Sequence, residues 1–354
     1  MKFKKINILI TCSSGKFTYD IVKSLKEIKN FSIKIIGVDS YPKPNVDYLD
    51  KQYKITNCNN SKKYFKELIT ICKKEKIKIA IPLSENETTL FSKKKNLLEE
   101  NKVKTLISNY TIVSNIVDKI KMFEFLERKK IDIGRWKSIN NIKDLFKAVK
   151  KLGYPDKNVV LKQRKGSGSR GIIILNNKIK KFKYLLENRF CGTGNLQSVK
   201  KEFKKNNLIF KNLFCMPFHG GDVYDIDCFA INGVPKAVIS RLRIYENPLS
   251  PTNQGCLLKK NSKIENYIKK IIKAFKIHGP CDFDVVIDDR GKPKLLDGSC
   301  RMSGSIGATY VAGYNLPEMI VKHLLGKKLK NIFPKSQVRL IPVSKFVKVN
   351  KKNA

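Results

Sequence analysis

The stretch from Asp282 to Arg301 restricts this chain more than any other. Phe283, Val285 and Ile287 alternate with Asp284 and Val286. The turn Asp288-Asp289-Arg290-Gly291 follows, and then a second short strand over Lys292 to Leu296. The pattern predicts a hairpin of two short strands, with Asp284 and Asp297 side by side near their ends and Ser299 and Arg301 on the loop beyond. Facing carboxylates repel unless a cation lies between them, so a divalent metal is the natural occupant. Oxygen ligands without an arranged His or Cys favour Mg²⁺ or Mn²⁺ over zinc. The competing reading is a solvated acidic hairpin whose carboxylates never meet.

The start of the chain has a different rhythm. Ile6 to Thr11 reads as a buried strand ending in Cys12-Ser13-Ser14-Gly15. A helix over Thr18 to Ile28 follows, then a strand over Ile33 to Val38 that ends at Asp39. This is a βαβ opening, and without G-x-G-x-x-G in its first turn it is not expected to bind NAD. A helix over Lys62 to Lys76, a strand over Ile77 to Leu83, the polar turn Ser84-Glu85-Asn86-Glu87 and a strand over Val103 to Ile107 continue the alternation. An open parallel sheet covered on both faces is implied, extending to about residue 112. Asp118-Lys119 then opens an amphipathic helix with Ile120, Phe123 and Leu126 on one face, and a second helix covers Ile142 to Leu152.

Between Asn158 and Leu175, two apolar strands flank a loop carrying Lys162, Lys165, Gly166, Ser167, Gly168, Ser169, Arg170 and Gly171. Glycines let backbone N–H groups approach an anion, and hydroxyls and cations complete a phosphate cradle. The Walker pattern is absent and a strand follows, so this is not a P-loop; an exposed hairpin tip is the alternative. Leu208 to Phe218 is apolar, with Pro217 interrupting regular pairing. Further on, Asp225 and Asp227 share one strand face, Arg241 and Arg243 share another, and Asn232-Gly233 turns between them. That hairpin brings arginines to acids, either as a simple ion pairing or as the lining for an anionic substrate.

A net charge of +43 would suit nucleic acid or a membrane surface, yet the lysines are spread along the whole chain with no Lys/Arg stripe carrying interleaved aromatics. They read as solvated faces, and neither partner is expected. Nine scattered cysteines without a Cys-x-x-Cys pair argue against disulfides or a zinc cluster. No signal segment or membrane span is expected, and the reading is of a cytoplasmic protein.

Taken in order, these motifs resemble the ATP-grasp enzymes, specifically the branch similar to the carbamoyl-phosphate-synthase large subunit, over about residues 5 to 330. The resemblance implies a mixed α/β and α+β architecture, an N-terminal Rossmann-like pre-ATP-grasp domain (1–112) followed by a two-lobed ATP-grasp fold. The small lobe (113–217) would carry the glycine-rich loop and the large lobe (218–335) the metal-binding hairpin, with a C-terminal strand and basic tail (336–354). By position, Lys119 and Lys162 would contact ATP phosphates, and the loop with Arg170 would close over them. Cys215, Met216, Pro217 and Phe218 would bind adenine through their backbone. Asp284, Asp297 and Ser299 would hold Mg²⁺ or Mn²⁺. Arg301 would bind phosphate, and Arg241 and Arg243 the acceptor or acyl phosphate.

The chain departs from the family pattern at three places. Glu-x-Asn-x-Arg is here Asp297-Gly298-Ser299-Cys300-Arg301, the ribose-binding acid falls on Val223 with Asp222 as its substitute, and the hinge glutamate falls on Pro217. The implied activity is ligation of a small-molecule carboxylate to an amine through an acyl phosphate, in a homodimer. His219, His278 and His323 take no part in it. The other reading that these departures prompt is an ATP-binding regulatory or scaffold protein that kept the fold and lost turnover.

Overall fold

The computed structural model describes residues 4–15, 18–42, 46–166, 168, 171–186, 190–244, 255–332, 334 and 337–343. Its first sheet is parallel. Lys4–Ile10 lies between Phe31–Asp39 and Ile79–Ile81, with Lys51–Lys54 at one edge. Leu9, Ile36 and Val38 enter one core while Ile6, Ile8, Ile10 and Ile35 enter another, which is why these strands read as near-continuous apolar runs. Gly37 allows the turn after the first strand to approach, since a Cβ there would lie 2.6 Å from that of Ser13. The strand expected at Val103 to Ile107 is reduced to one parallel bridge, Lys104 to Ile79. The four-residue edge strand Lys51–Lys54 was too short and polar to be read from alternation.

The expected polar turn at residues 84–87 is instead a helix start. Ser84 caps the helix Glu85–Lys93, accepting from the Glu87 N–H at 3.2 Å and donating its hydroxyl to the Glu87 carboxylate at 2.7 Å. The helix Lys119–Arg128 begins in the same way, with Asp118 accepting from the Lys121 N–H at 3.2 Å. Both Asp118 oxygens also accept from Arg164 Nε at 2.8 Å, which fastens the helix to the strand before the glycine-rich loop. Asp118→Ala removes a cap and a charge-assisted bond together, an expected cost of about 2 kcal/mol or more. Asp118→Asn keeps the cap and should recover about half of it. Thermal unfolding of the two variants checks the split.

The second sheet has the strand order Lys137–Ile139, Leu213–Pro217, Val159–Gln163, Ile173–Leu175, Gly192–Gly194, Lys183–Tyr184. The helices Ile142–Lys151 and Leu196–Lys205 pack on one face through Leu145, Val149, Val199 and Phe203. The apolar run from Leu208 becomes a strand only at Leu213, and pairing ends at Pro217, which cannot donate to the ladder.

The third sheet is antiparallel, in the order Pro293–Ser299, Gly279–Ile287, Val223–Ile231, Val234–Arg243, Cys256–Leu258, Val338–Leu340. The helix Ser262–Phe275 covers one face. Ile306–Val311 and Leu316–Leu324 cover the other, where Asn315 also donates to the Ser24 carbonyl of the first helix at 2.8 Å. Among the described residues no helix is long and apolar enough to cross a membrane.

Candidate active site

Strand register builds this site. In the hairpin formed by Gly279–Ile287 and Pro293–Ser299, Asp284 stands opposite Asp297 and Asp282 opposite Ser299. On the other side of Gly279–Ile287, Asp225 stands opposite Asp284 and Asp227 opposite Asp282. One sheet face therefore collects five carboxylates. They are not left to repel one another. Lys119 Nζ lies 2.9 Å from Asp297, Arg243 bridges Asp225 and Asp284 (3.0 Å to the latter), Arg241 lies 2.9 Å from Asp227, and Arg301 lies 3.5 Å from Asp282. The cation inferred between the two facing acids has side-chain counterparts here, Lys119 and Arg243, because the start of the helix Lys119–Arg128 and the end of the strand Val234–Arg243 both converge on the hairpin. Among the described residues no three His, Cys, Asp or Glu side chains form a ready metal cage.

The small lobe contributes two lysines. Lys162, 7% exposed, donates to the Leu296 carbonyl of the acidic hairpin at 2.9 Å. Lys119, 5% exposed, donates to the Gly166 carbonyl at 2.7 Å while paired with Asp297, so it ties the glycine-rich loop to the hairpin. Burial pushes the Lys162 ammonium down to about 8, Asp297 opposing. Burial also works against charge on Lys119, but Asp297 and then Glu85 and Asp284 outweigh it and its pKa rises. Burial raises Asp284, with Arg243 opposing and Asp225 and Asp297 adding, although a third of its side chain is open to solvent. Burial pushes Asp282 up to about 8 against the pull of Arg301.

Gly166, Gly168 and Gly171 all have positive φ (147°, 67° and 72°), a backbone that L side chains rarely adopt and that lets a loop wrap an anion. Ser167, Ser169 and Arg170 lie outside the described residues. Lys165 is exposed and lines a cavity on the far side of the loop strand. On the strand Leu213–Pro217, Cys215 and Met216 are buried, with side chains entering opposite cores, and just beyond it the Phe218 N–H donates to the Asn158 carbonyl at 3.0 Å. Asp222 is exposed, and its carbonyl accepts from the Ile287 N–H.

The two arginines that sequence treated as a pair differ. Arg241 is 1% exposed and taken up by Asp227 and by Ser305, at 2.8 Å. Arg243 reaches the hairpin at Asp284. Ser299 is 4% exposed and its Oγ has no hydrogen-bond partner, which makes it an orphaned oxygen beside Asp297.

Sequence reasoning missed Glu85. It opens the helix capped by Ser84, and its carboxyl is raised by burial while feeling Lys119, Asp297 and Arg301. The signal was available in Ser84-x-x-Glu87, a capping box that marks a helix start where a turn was read.

A family model described as ATP-grasp in the biosynthetic pathway with Ter operon matches residues 209–346, and one described as PylC-like, N-terminal domain, matches residues 8–106. The carbamoyl phosphate synthase large chain of Clostridium acetobutylicum is 21% identical over 336 residues, and that of Clostridium botulinum 23% over 326. Each match covers 90% of this chain, which spans only 28% of the length of those relatives. Among solved structures, an L-amino acid ligase from Bacillus licheniformis superposes with TM-score 0.67 at 15% identity, covering 92% of this chain and 75% of that one. N5-carboxyaminoimidazole synthetase from Staphylococcus aureus, complexed with ADP, superposes with TM-score 0.68 at 16% identity, covering 94% and 80%.

Proposed function

From a chain that belongs to the ATP-grasp superfamily and sets a PylC-like N-terminal domain before the grasp, we propose an ATP-dependent ligase that joins a carboxylate to an amine through an acyl phosphate. The observation that carries this reading is the pair of small-lobe lysines that cross to the acidic hairpin, Lys119 to Asp297 and Lys162 to Leu296. Two buried ammonium groups beside a positive-φ glycine loop form a site for the phosphates of a nucleotide held between the lobes. The residues also fit a magnesium ion. Asp284 and Asp297 face each other, Ser299 offers an orphaned oxygen, and Mg²⁺ usually takes one or two carboxylates plus substrate phosphates. When bound there it would neutralise charge on the β- and γ-phosphates.

The chain's own groups account for the remainder. Lys119, Lys162 and the backbone of Gly166 and Gly168 bind phosphate oxygens, and the hinge from Cys215 to Phe218 receives adenine, with Asp222 at the ribose. A substrate carboxylate oxygen attacks the γ-phosphorus, the bond to ADP breaks, and an acyl phosphate results. Arg243 and Arg301 hold this anion, while Arg241 fixes Asp227 beneath them. An amine then attacks the acyl carbon, the C–O bond to phosphate breaks, inorganic phosphate leaves and the nitrogen gives up a proton. Glu85 lies near Lys119 and Arg301 from the N-terminal domain and is placed to take the proton that an incoming ammonium must lose before its nitrogen can attack.

ADP release across amino acids, peptides and amino sugars with Mg²⁺ tests the reading. ADP formed only when a carboxylate and an amine are both present supports it. Tight ATP binding with no ADP from any pair favours the scaffold reading that Ser299 and Val223 prompt. Ser299→Asn supplies an amide oxygen where the orphaned hydroxyl lies, and the Mg²⁺ concentration for half-maximal turnover should fall. Loss of turnover in a folded Ser299→Asn protein would give the serine a role of its own.

A further inference from the structure

A cavity of about 540 Å³ lies in the small lobe beside the glycine-rich loop, whose Lys165 and Gly171 line it. Its floor is apolar (Phe190, Phe203, Leu208 and Leu213) and its rim carries Lys121, Lys165 and Lys211. Leu213 and Phe203 belong to the small-lobe core, on the sheet face opposite the one from which Lys162 reaches Leu296. The cavity therefore backs onto the phosphate site across a single sheet.

Its volume is that of a small-molecule site, and the composition says what kind of molecule. Among the described residues, four cationic side chains line it against one carboxylate, Asp118, which is already held by Arg164 through both oxygens. Among the described residues the three rim lysines have no carboxylate within ion-pair distance. Phe190 and Phe203 meet edge to face with centroids 5.4 Å apart, giving an aromatic wall. An apolar wall beneath an uncompensated cationic rim favours an anion with an apolar body over a sugar, a cation or a free phosphate.

The cavity also shares its walls with the nucleotide site. The Lys119 N–H donates to the Arg164 carbonyl at 3.0 Å, and the Arg164 N–H donates to Asn212 at 2.8 Å. Asp118 and Arg164 line the cavity, while their neighbour Lys119 clamps Gly166 and Asp297 on the other side. We propose that this cavity is a second ligand site for a small amphipathic anion, and that its occupancy is coupled to ATP binding through Asp118 and Arg164. The site itself stands independently of the ligase reading, whereas its coupling rests on ATP binding in the cleft.

Fluorescence titration with 8-anilinonaphthalene-1-sulfonate, an aryl sulfonate of the required character, tests it. One saturable site is expected, and it persists at saturating ATP. Ile209→Glu and Lys211→Glu change exposed rim positions (Ile209 is 71% exposed) and should each weaken the probe about tenfold or more, with circular dichroism unchanged. ATP and the probe should alter each other's dissociation constants by one common factor, as linkage requires. Stoichiometric displacement of the probe by ATP overturns the proposal, as does wild-type probe affinity in both folded variants. A probe that binds at the rim while leaving ATP affinity unchanged overturns the coupling.

Discussion

Asp284→Asn should lower turnover about a hundredfold or more while changing ATP affinity by only a few fold. The amide removes one unit of the charge offered to a cation, and that charge matters most when negative charge redistributes during phosphoryl transfer. This is a cleaner substitution than the same change at its neighbour. Arg243 keeps Asp225 when Asp284 is neutralised, whereas Asp297→Asn strips buried Lys119 of its carboxylate partner and confuses catalysis with stability. Calorimetric titration with ATP, set beside a coupled assay for ADP, separates the two effects. Full Mg²⁺-dependent activity in Asp284→Asn would leave the hairpin as an ion-pair network and put the reacting centre elsewhere.

The second large effect belongs to Lys162. Lys162→Ala removes a charge-assisted phosphate contact worth about 1.5–3 kcal/mol, so ATP affinity should fall tenfold or more. Its pH dependence is the more specific test. Burial sets the ammonium at about 8, so wild-type affinity should fall as pH rises through that value. Lys162→Arg, which keeps its proton, should not follow. Stability responds with the opposite sign. An unfolded lysine keeps its proton to its ordinary pKa of 10.5 while the folded one has released it, so this residue's contribution to folding improves from about pH 8 upward. An ATP dissociation constant unmoved by Lys162→Ala would remove the lysine from the site.

The facing of Asp284 and Asp297 was readable because strand period is two and a short turn sets register, so alternating apolar residues leave the acids one possible face. Asp118 and Asn232-Gly233 were readable for a similar local reason, a cap and a turn. What neutralises the acids was not. Lys119 and Asp297 lie far apart in sequence, on a helix start and a hairpin strand, and no pattern within a strand encodes such a contact. Arg241 and Arg243 were indistinguishable in sequence, because alternation gives a shared face but not depth. Ser305 and Thr309, from a helical segment the pattern did not reveal, close over Arg241 and Asp227. Asp282 sits two residues before Asp284 on the same face and was passed over, since the family pattern has no place for it.

A carboxylate activated by the γ-phosphoryl group of ATP gives one of its own oxygens to the phosphate that is later released, so oxygen transfer is the decisive measurement. With the substrate pair identified by ADP release, the carboxylate is labelled with ¹⁸O and the phosphate product is analysed by mass spectrometry. One labelled oxygen per phosphate released is the expected result, since the acyl phosphate keeps a carboxylate oxygen on phosphorus when its C–O bond breaks. Unlabelled phosphate accompanying full product formation would contradict the account.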